Sequence, residues 1–334
     1  MTSTAGATPI KCANARYLFL CTGEGAHAPH TDVDSLKLSP SWAAVDAACR
    51  GQCRDADSQF NLCLRVGDHA APYSPVVTTV INLLNANRWR AHGLPPCLVL
   101  GHSVGEVAAA SVAGLLSIDE ALHTALFLGR VAVAYDGAMV GTHLSIVQKQ
   151  MWPEADGIQV TAINSVATGA APLSVNLCGS SPDVRSWVLK DPDAIRLRPP
   201  HPWHHPVYAC APGVHDGSVF RSLPMISRPA SCLFVTATFA REFAPGDQLD
   251  ETHWRAWLTS PVNFKGALER SAALVGSECC LIELGAHPVL TPMASERLSS
   301  SGVSVLACAA SMRRGQPQVT CAHSPVFPSV LHSA

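Results

Sequence analysis

The chain has 334 residues, 48% of them hydrophobic and 14% charged, which is enough for a sizeable core and excludes extensive disorder. The formal net charge of −2 excludes a general attraction to nucleic acid or to anionic membranes, so we expect neither as a partner. The 13 cysteines match no zinc-ligand spacing, and we therefore expect free thiols, no metal ion and a reducing, cytoplasmic compartment.

The first predicted elements lead to a strand near residue 97. Residues 17–21 are strand formers and end at Thr22-Gly-Glu-Gly-Ala26, where backbone amides can face a ligand, although a plain tight turn could have the same sequence. Apolar residues recur at helical spacing between 74 and 89, which predicts a helix. The apolar residues 97–100 then predict a short buried strand.

A sharp turn follows this strand. The sequence Gly101-His-Ser-Val-Gly105 separates it from an alanine-rich helix, and strand, turn and helix in this order are the context of a nucleophile elbow. The flanking glycines leave room for a strained backbone at Ser103. We therefore predict that Ser103 is a nucleophile, with the amide of Val104 at the helix N-terminus stabilising an oxyanion. The same stretch is the most apolar of the chain, but His102 and Glu106 lie inside it, so a membrane span is not expected.

The middle of the chain has a different pattern. Strand-like runs at 158–163 and 173–177, a helical segment at 184–189 and a further run at 194–198 predict a small α+β subdomain inserted at 141–204. The larger α/β subdomain takes 15–140 and 205–312, and 313–334 is expected to be a loose tail.

Five segments together resemble the malonyl-CoA:acyl carrier protein transacylases and the acyltransferase domains of polyketide and fatty acid synthases. They occur in family order from about residue 17 to 295. The resemblance implies an α/β-hydrolase-like large subdomain with a parallel sheet and a nucleophile elbow, and a ferredoxin-like small subdomain. The segments are Thr22–Ala26, Gly101–Glu106, His201–His204, Trp257–Phe264 and Ile282–Leu290.

The resemblance also implies a mechanism, ping-pong acyl transfer by a Ser103–His204 dyad. Ser103 would attack an acyl-CoA thioester, and the phosphopantetheine thiol of an acyl carrier protein would take the acyl group from the serine. His204 would be the general base and acid, with the adjacent His205 as the less favoured alternative. No bound cofactor is implied, since acyl-CoA is a substrate, and the isolated domain is expected to be monomeric.

Other residues of the site follow from the same resemblance. The oxyanion would be bound by the backbone amides of Glu24 and Val104, and a backbone carbonyl near Ser260 would orient His204. Glu24 stands where the family usually has glutamine. Ser74 likewise replaces a glutamine that commonly precedes the first helix. We expect Ser74, His102, Leu128 and Trp203 to contact the substrate.

Leu128 is the most informative departure from the family pattern. Malonyl-loading members carry an arginine at this position, which pairs with the free carboxylate of the acyl group. Leu128 and Trp203 would suit an apolar acyl chain, and Arg130 should point away from the site. The sequence therefore favours a non-carboxylated, starter-type acyl group. The alternative is a malonyl-type extender transferase in which Arg196 or Arg198 supplies the cation.

Two other classes of protein remain open at this stage. The same dyad with water as acceptor would make an acyl-thioester hydrolase, for example an editing enzyme. A docking domain that keeps the fold without catalysis is a third reading, which the intact Ser103 and His204 disfavour.

Overall fold

The computed structural model describes residues 16–27, 31–52, 69, 71–144, 157–166, 173–224 and 228–314. The predicted tail lies outside these ranges from residue 315 onward. Among the described residues there are eleven strands, which form two sheets. The strands are β1 (Tyr17–Cys21), β2 (Leu98–Gly101), β3 (Ala138–Leu144), β4 (Ile158–Val166), β5 (Leu173–Gly179), β6 (Ile195–Arg196), β7 (Leu233–Thr236), β8 (Arg241–Glu242), β9 (Val262–Asn263), β10 (Glu278–Glu283) and β11 (Ser304–Ala310).

Nine α-helices lie in the same ranges, and most of them cover the larger sheet. They are α1 (Val33–Leu36), α2 (Trp42–Gln52), α3 (Ser74–Ala91), α4 (Gly105–Val112), α5 (Ile118–Ala132), α6 (Ser181–Lys190), α7 (Glu251–Thr259), α8 (Phe264–Val275) and α9 (Thr291–Ser300). Pro261 and the short strand β9 separate α7 from α8, in agreement with the sequence, in which Ser260-Pro261 interrupts a largely helical stretch at 254–267.

The larger sheet has the order β11-β10-β1-β2-β7-β8 and is parallel except for the short edge strand β8. Its strands are apolar on both faces, as is typical of a parallel sheet covered by helices on both sides. In β1, Phe19 and Cys21 belong to the core under α3–α5, whereas Leu18 and Leu20 belong to the core under α8 and α9. This sheet confirms the predicted α/β class with a parallel sheet.

The smaller sheet has the order β6-β3-β5-β4-β9. Its first four strands are antiparallel to their neighbours, and this order and these directions are those of a ferredoxin-like subdomain. Strand β3 begins at Ala138, three residues before the predicted boundary at 141. The last strand, β9, comes from the far end of the larger subdomain and pairs in parallel with β4. The small sheet therefore extends past the predicted limits on both sides.

The sequence predicts no membrane span and predicts buried cysteines. Within the described ranges, no helix combines the length and the apolar character that crossing a membrane requires. Of the nine cysteines described there, five are buried.

Candidate active site

Ser103 lies at the predicted elbow, between the end of β2 and the start of α4. Its φ of 53° is in the left-handed region, which strains a residue with a side chain. The two glycines of the turn allow this arrangement. A Cβ on Gly101 would lie 2.2 Å from the Gly105 carbonyl, and one on Gly105 would lie 2.1 Å from the Cys21 carbonyl oxygen. Only glycine fits at either position.

Ser103 and His204 are within hydrogen-bond distance. The Ser103 Oγ lies 2.6 Å from His204 Nε2, and His204 Nδ1 lies 2.7 Å from the backbone carbonyl oxygen of Trp257. Because a carbonyl only accepts, Nδ1 must carry the ring proton, which leaves Nε2 to accept from the serine hydroxyl. Burial lowers the pKa of His204 from 6.5 to about 4, although the bond to Trp257 acts in the opposite direction. The imidazole is therefore neutral at neutral pH.

The residue that orients His204 is Trp257, and the expectation that Ser260 would do so is wrong. Trp257 is in the last turn of α7, and its carbonyl would normally accept from the amide four residues later. That residue is Pro261, which has no amide hydrogen, so the carbonyl is left for His204. The indole of Trp257 also donates to the carbonyl oxygen of Ser103 at 3.2 Å. Trp257 thus contacts His204 through its backbone carbonyl and Ser103 through its indole.

His205 has a different role in the structure. Its Nδ1 accepts a 2.9 Å hydrogen bond from the Val207 amide and caps the short 3-10 helix Pro206–Cys210. His204, with a φ of 59°, is the one of the two that reaches Ser103.

The turn predicted to bind the oxyanion packs against the elbow. A Cβ on Gly23 would lie 2.7 Å from the His102 carbonyl oxygen and 3.3 Å from Ser103 Cβ, so Glu24 follows a residue in direct contact with the nucleophile. The turn is held at its start by Asn82, whose side chain exchanges two 3.0 Å hydrogen bonds with the backbone of Thr22. Val104 precedes the first turn of α4, where backbone amides lack helical acceptors.

The carboxylate of Glu24 is turned into the protein. Both of its oxygens are buried. The pKa of the buried Tyr208 hydroxyl is raised, first by burial and then by Cys178 and Glu24. The phenol lies 3.4 Å from the Ala132 carbonyl oxygen at the end of α5.

His102 connects the elbow with the small sheet. Its Nε2 lies 2.8 Å from Asn164 Oδ1 on β4, and Asn164 Nδ2 donates to Asn176 Oδ1 on β5 at 3.1 Å. With this amide orientation, His102 Nε2 is a donor. Burial lowers the pKa of His102, although the hydrogen bond with Asn164 acts in the opposite direction. The ring is therefore neutral at neutral pH. The two asparagines lie 62 and 74 residues from His102 in the chain, and no local pattern indicated them.

Three residues predicted to contact the acyl group are almost fully buried. Leu128 is 0% exposed on α5, and Trp203 is 1% exposed with its ring against those of Tyr208 and Trp257. Ser74 is the first residue of α3 and is also 0% exposed. The Ser74 hydroxyl and the Trp203 indole nitrogen have no hydrogen-bond partner among the described residues.

Glu106, the last residue of the elbow motif, is 1% exposed and joins three elements. It accepts from the Thr236 hydroxyl at 2.6 Å and the Ala237 amide at 3.0 Å, and it lies 3.0 Å from His253 Nε2 on α7. Burial would raise the pKa of Glu106, but its contacts with His253 and Thr236 outweigh this and hold it low. Since α7 also carries Trp257, the carboxylate links the elbow helix to the helix that orients His204. No local pattern in the sequence indicates this contact, which joins residues 147 positions apart.

The three arginines named in the sequence analysis lie in different environments: two are exposed on α5 and β6, and the third contacts the turn after β1. Arg130 is exposed on α5, as expected, and Arg196 is exposed on β6. Arg198 instead reaches the turn after β1 and donates to the His27 carbonyl oxygen at 2.8 Å. Of the two arginines considered as substitute cations, only Arg198 is thus fixed beside the predicted oxyanion turn.

The fold and this geometry define an α/β protein with a nucleophile elbow whose serine contacts a buried, neutral histidine. The chain belongs to the acyl transferase domain family, whose model matches residues 19–332. Polyketide synthase GfsB of Streptomyces halstedii is 28% identical over 312 residues, covering 90% of this chain and 5% of that synthase. Erythronolide synthase EryA2 of Saccharopolyspora erythraea is 27% identical over 312 residues, covering 89% of this chain and 8% of that synthase. The chain thus spans less than a tenth of either relative.

Solved structures show the same fold. The acyltransferase domain of SpnD, in complex with 2-(pent-4-yn-1-yl)malonyl, matches with a TM-score of 0.75 at 22% identity, covering 93% of this chain and 75% of that one. MCAT from Streptococcus pneumoniae matches with a TM-score of 0.69 at 18% identity, covering 90% and 97% of the two chains. The predicted α/β class is confirmed by these neighbours.

Proposed function

We propose that this chain is an acyl-CoA:acyl carrier protein S-acyltransferase of polyketide or fatty acid biosynthesis, working through an acyl group on Ser103. The observation that carries the proposal is the Ser103–His204–Trp257 arrangement, in which a strained serine contacts the free nitrogen of an oriented imidazole. A serine hydroxyl becomes an effective nucleophile only when a base accepts its proton.

The first half of the reaction would acylate the enzyme. His204 Nε2 takes the proton of Ser103 while Oγ forms a bond to the thioester carbonyl carbon. The amides of Glu24 and Val104 then donate to the oxyanion of the tetrahedral intermediate. The carbon–sulfur bond breaks, the proton on Nε2 goes to the departing thiolate, and free CoA leaves acyl-Ser103 behind.

The second half would repeat these steps with a new thiol. The phosphopantetheine thiol of a carrier protein gives its proton to His204 and attacks acyl-Ser103. Collapse of the intermediate returns the proton to Ser103 Oγ and releases the acyl-carrier thioester. GfsB is a polyketide synthase by name, which supports a carrier protein as the acceptor. A cytoplasmic location remains a prediction.

The acyl group is proposed to lack a free carboxylate. Leu128 offers no charge at the position where the family resemblance places arginine, and burying an unpaired carboxylate costs several kcal/mol. Apolar acyl carbons would instead gain ~0.8 kcal/mol for each buried methylene group. We therefore favour acetyl or a longer alkanoyl group over malonyl.

The test is intact mass after incubation with a panel of acyl-CoAs. Wild-type protein should gain the mass of one acyl group, and Ser103→Ala should gain none. Ser111→Ala, on the same helix, is the matched control and should be acylated like wild type. An acyl mass that persists in Ser103→Ala would refute the proposal, and rapid release of free acid instead of transfer to a carrier would identify a hydrolase.

A further inference from the structure

Two arginines converge beside the predicted oxyanion turn. Arg198 Nη1 donates to the His27 carbonyl oxygen at 2.8 Å, and Arg314 Nη2 donates to the Ala26 carbonyl oxygen at 3.4 Å. Adjacent carbonyls of one turn therefore hold both guanidinium groups. We refer to Arg198 and Arg314 as the arginine pair.

The arginine pair lies at the edge of the sheet where ligands of α/β proteins bind. Ala26 and His27 follow the carboxyl end of β1, and Arg314 follows that of β11. These strands are parallel to β2, whose carboxyl end carries the elbow, so all these ends meet at one edge. Gly23 lies against Ser103, and four residues of chain, at most ~14 Å, separate Gly23 from His27. The pair thus lies at the same edge of the sheet as Ser103.

The arginine pair is not in direct contact with a carboxylate among the described residues. Neither arginine forms a salt bridge with any residue in the described ranges. The oxygens of Glu283 accept from Thr22 Oγ1 and from the amides of Leu290 and Thr291, and not from either arginine. Two like charges in one place favour an anion between or above them.

Neighbouring groups respond to this positive charge. The pKa of Arg314 is lowered by burial and then by Arg198, so the two guanidinium groups lie close enough to repel each other. The pKa of His69 is lowered to about 3, first by burial and then by His27, Arg198 and Arg314. His69 therefore stays neutral, and the positive charge is concentrated on the two arginines, both of which are exposed to solvent.

We propose that the arginine pair binds the phosphate that ends the pantetheine arm of the acyl donor and of the acceptor. Guanidinium groups bind phosphate oxygens through two parallel hydrogen bonds, and the bonds of Arg198 and Arg314 to the turn carbonyls leave further N–H groups on each guanidinium. Acyl-CoA and a carrier protein share this phosphate and the flexible arm, so one site at this edge of the sheet would serve both half-reactions. The inference rests on the proposed function, because it assumes that a pantetheine thioester is the substrate.

The experiment measures how much the phosphate helps acylation. Acyl-enzyme formation is followed by mass with hexanoyl-CoA, hexanoyl-phosphopantetheine and hexanoyl-pantetheine, and the phosphate advantage is the ratio of the second and third rate constants. Arg198→Gln and Arg314→Gln should each reduce this ratio by about tenfold, the effect of losing a charged hydrogen bond. Arg198→Lys should restore part of it. Arg130→Gln, which removes an exposed arginine from α5, should keep the wild-type ratio.

The acceptor side is tested in the same way. Transfer from hexanoyl-enzyme to phosphopantetheine and to pantetheine should show the same dependence on the arginine pair. An unchanged ratio in both glutamine variants would overturn the inference. So would variants that slow hexanoyl-CoA but not hexanoyl-phosphopantetheine, since the ligand would then be the nucleotide part of CoA.

A binding measurement separates this inference from the proposed function. Calorimetry with free phosphopantetheine should show about tenfold weaker binding to Arg198→Gln than to wild type, whether or not any thioester acylates Ser103. Equal binding would overturn the anion site, and absence of acylation with all three thioesters would count against the proposed function instead.

Discussion

Ser103 and His204 share a backbone conformation that side chains rarely adopt. Their φ angles are 53° and 59°, and their side chains meet at 2.6 Å. Among the described residues, Ala240 is the only other non-glycine residue with a positive φ. Strain of this kind costs about 1–3 kcal/mol per residue and persists only where the surrounding structure enforces it. Here it brings together two groups that are 101 residues apart in the chain.

Strain at Ser103 predicts an unusual order of stability for two variants. Ser103→Gly should be more stable than Ser103→Ala by about 0.5–1 kcal/mol, because glycine adopts positive φ without steric cost. Denaturant unfolding of both variants measures the difference. At Ser111, inside α4, the order should reverse, with alanine more stable than glycine by about 1 kcal/mol. Equal stability of the two Ser103 variants would mean that the elbow is unstrained.

The second prediction separates the two adjacent histidines. His204→Ala should slow acylation by ~10²–10⁴-fold, since a general base is lost. His205→Ala should have a small effect, because His205 only caps the helix at Pro206–Cys210. Single-turnover kinetics with hexanoyl-CoA compare the two. If His205→Ala were the slower variant, the base would be assigned to the wrong residue.

The pH profile of acylation should reflect the buried His204. The reaction needs neutral imidazole, so the rate should be constant above the pKa of His204 and fall about tenfold per pH unit below it. Because burial lowers that pKa to about 4, we expect half-maximal acylation near pH 4. The same burial destabilises the fold at low pH, since the unfolded chain binds a proton on this histidine below pH ~6.5. Circular dichroism at each pH therefore accompanies the kinetics, and half-maximal activity near pH 6.5 in folded protein would contradict the prediction.

Pro261 provides a test of the orienting carbonyl. Pro261→Ala would introduce an amide hydrogen that competes with His204 for the Trp257 carbonyl, so kcat should fall by about two- to tenfold. KM should not change, because the substrate does not contact this bond. Pro292→Ala, at the start of α9 where no helical acceptor exists, is the control and should behave like wild type. An unchanged kcat in Pro261→Ala would show that the hydrogen bond from His204 to the Trp257 carbonyl does not contribute to catalysis.

The last prediction concerns the acyl group. Leu128→Arg should shift selectivity towards malonyl-CoA by about tenfold or more, because the arginine would pair with the free carboxylate. The measurement is competition between malonyl-CoA and hexanoyl-CoA at equal concentration, read by intact mass. The control is Arg130→Leu, on the exposed side of α5, which should leave the ratio of malonyl-enzyme to hexanoyl-enzyme unchanged. Leu126→Arg is unsuitable as a control because Leu126 is also buried. Faster acylation of wild type by malonyl-CoA would refute the substrate proposal and point to Arg198.

Local sequence patterns were sufficient to predict the nucleophile elbow but not the residues that surround it. The strand, the two glycines and the helix are contiguous, so the position of Ser103 could be predicted from residues 97–113. The carbonyl that orients His204 was predicted at Ser260, three residues from the observed Trp257. The prediction was wrong because the end of α7 could not be placed from the sequence. The absence of an amide in Pro261 was the available signal, since a helix ending there leaves the Trp257 carbonyl free.

Contacts between distant segments could not be predicted. His102 meets Asn164 on another sheet, and Glu106 meets His253 across 147 residues. An asparagine or a histidine has no sequence signal that names its partner. Strand β9 was missed for another reason, because two residues are too few to show an alternating pattern.

The place of β9 at the edge of the small sheet determines where this chain can be recombined with a relative. Ala162 and Ile163 of β4 pair with Val262 and Asn263, and the Asn263 side chain also accepts from the Gly266 amide to cap α8. A chimera that exchanged only residues 138–198 would therefore join a foreign β4 to the native β9 and disturb the start of α8. An excised fragment of the same residues would expose the edge of β4, which could recruit strands from other molecules. Hybrid synthases built from this domain should move residues 261–264 together with the small sheet.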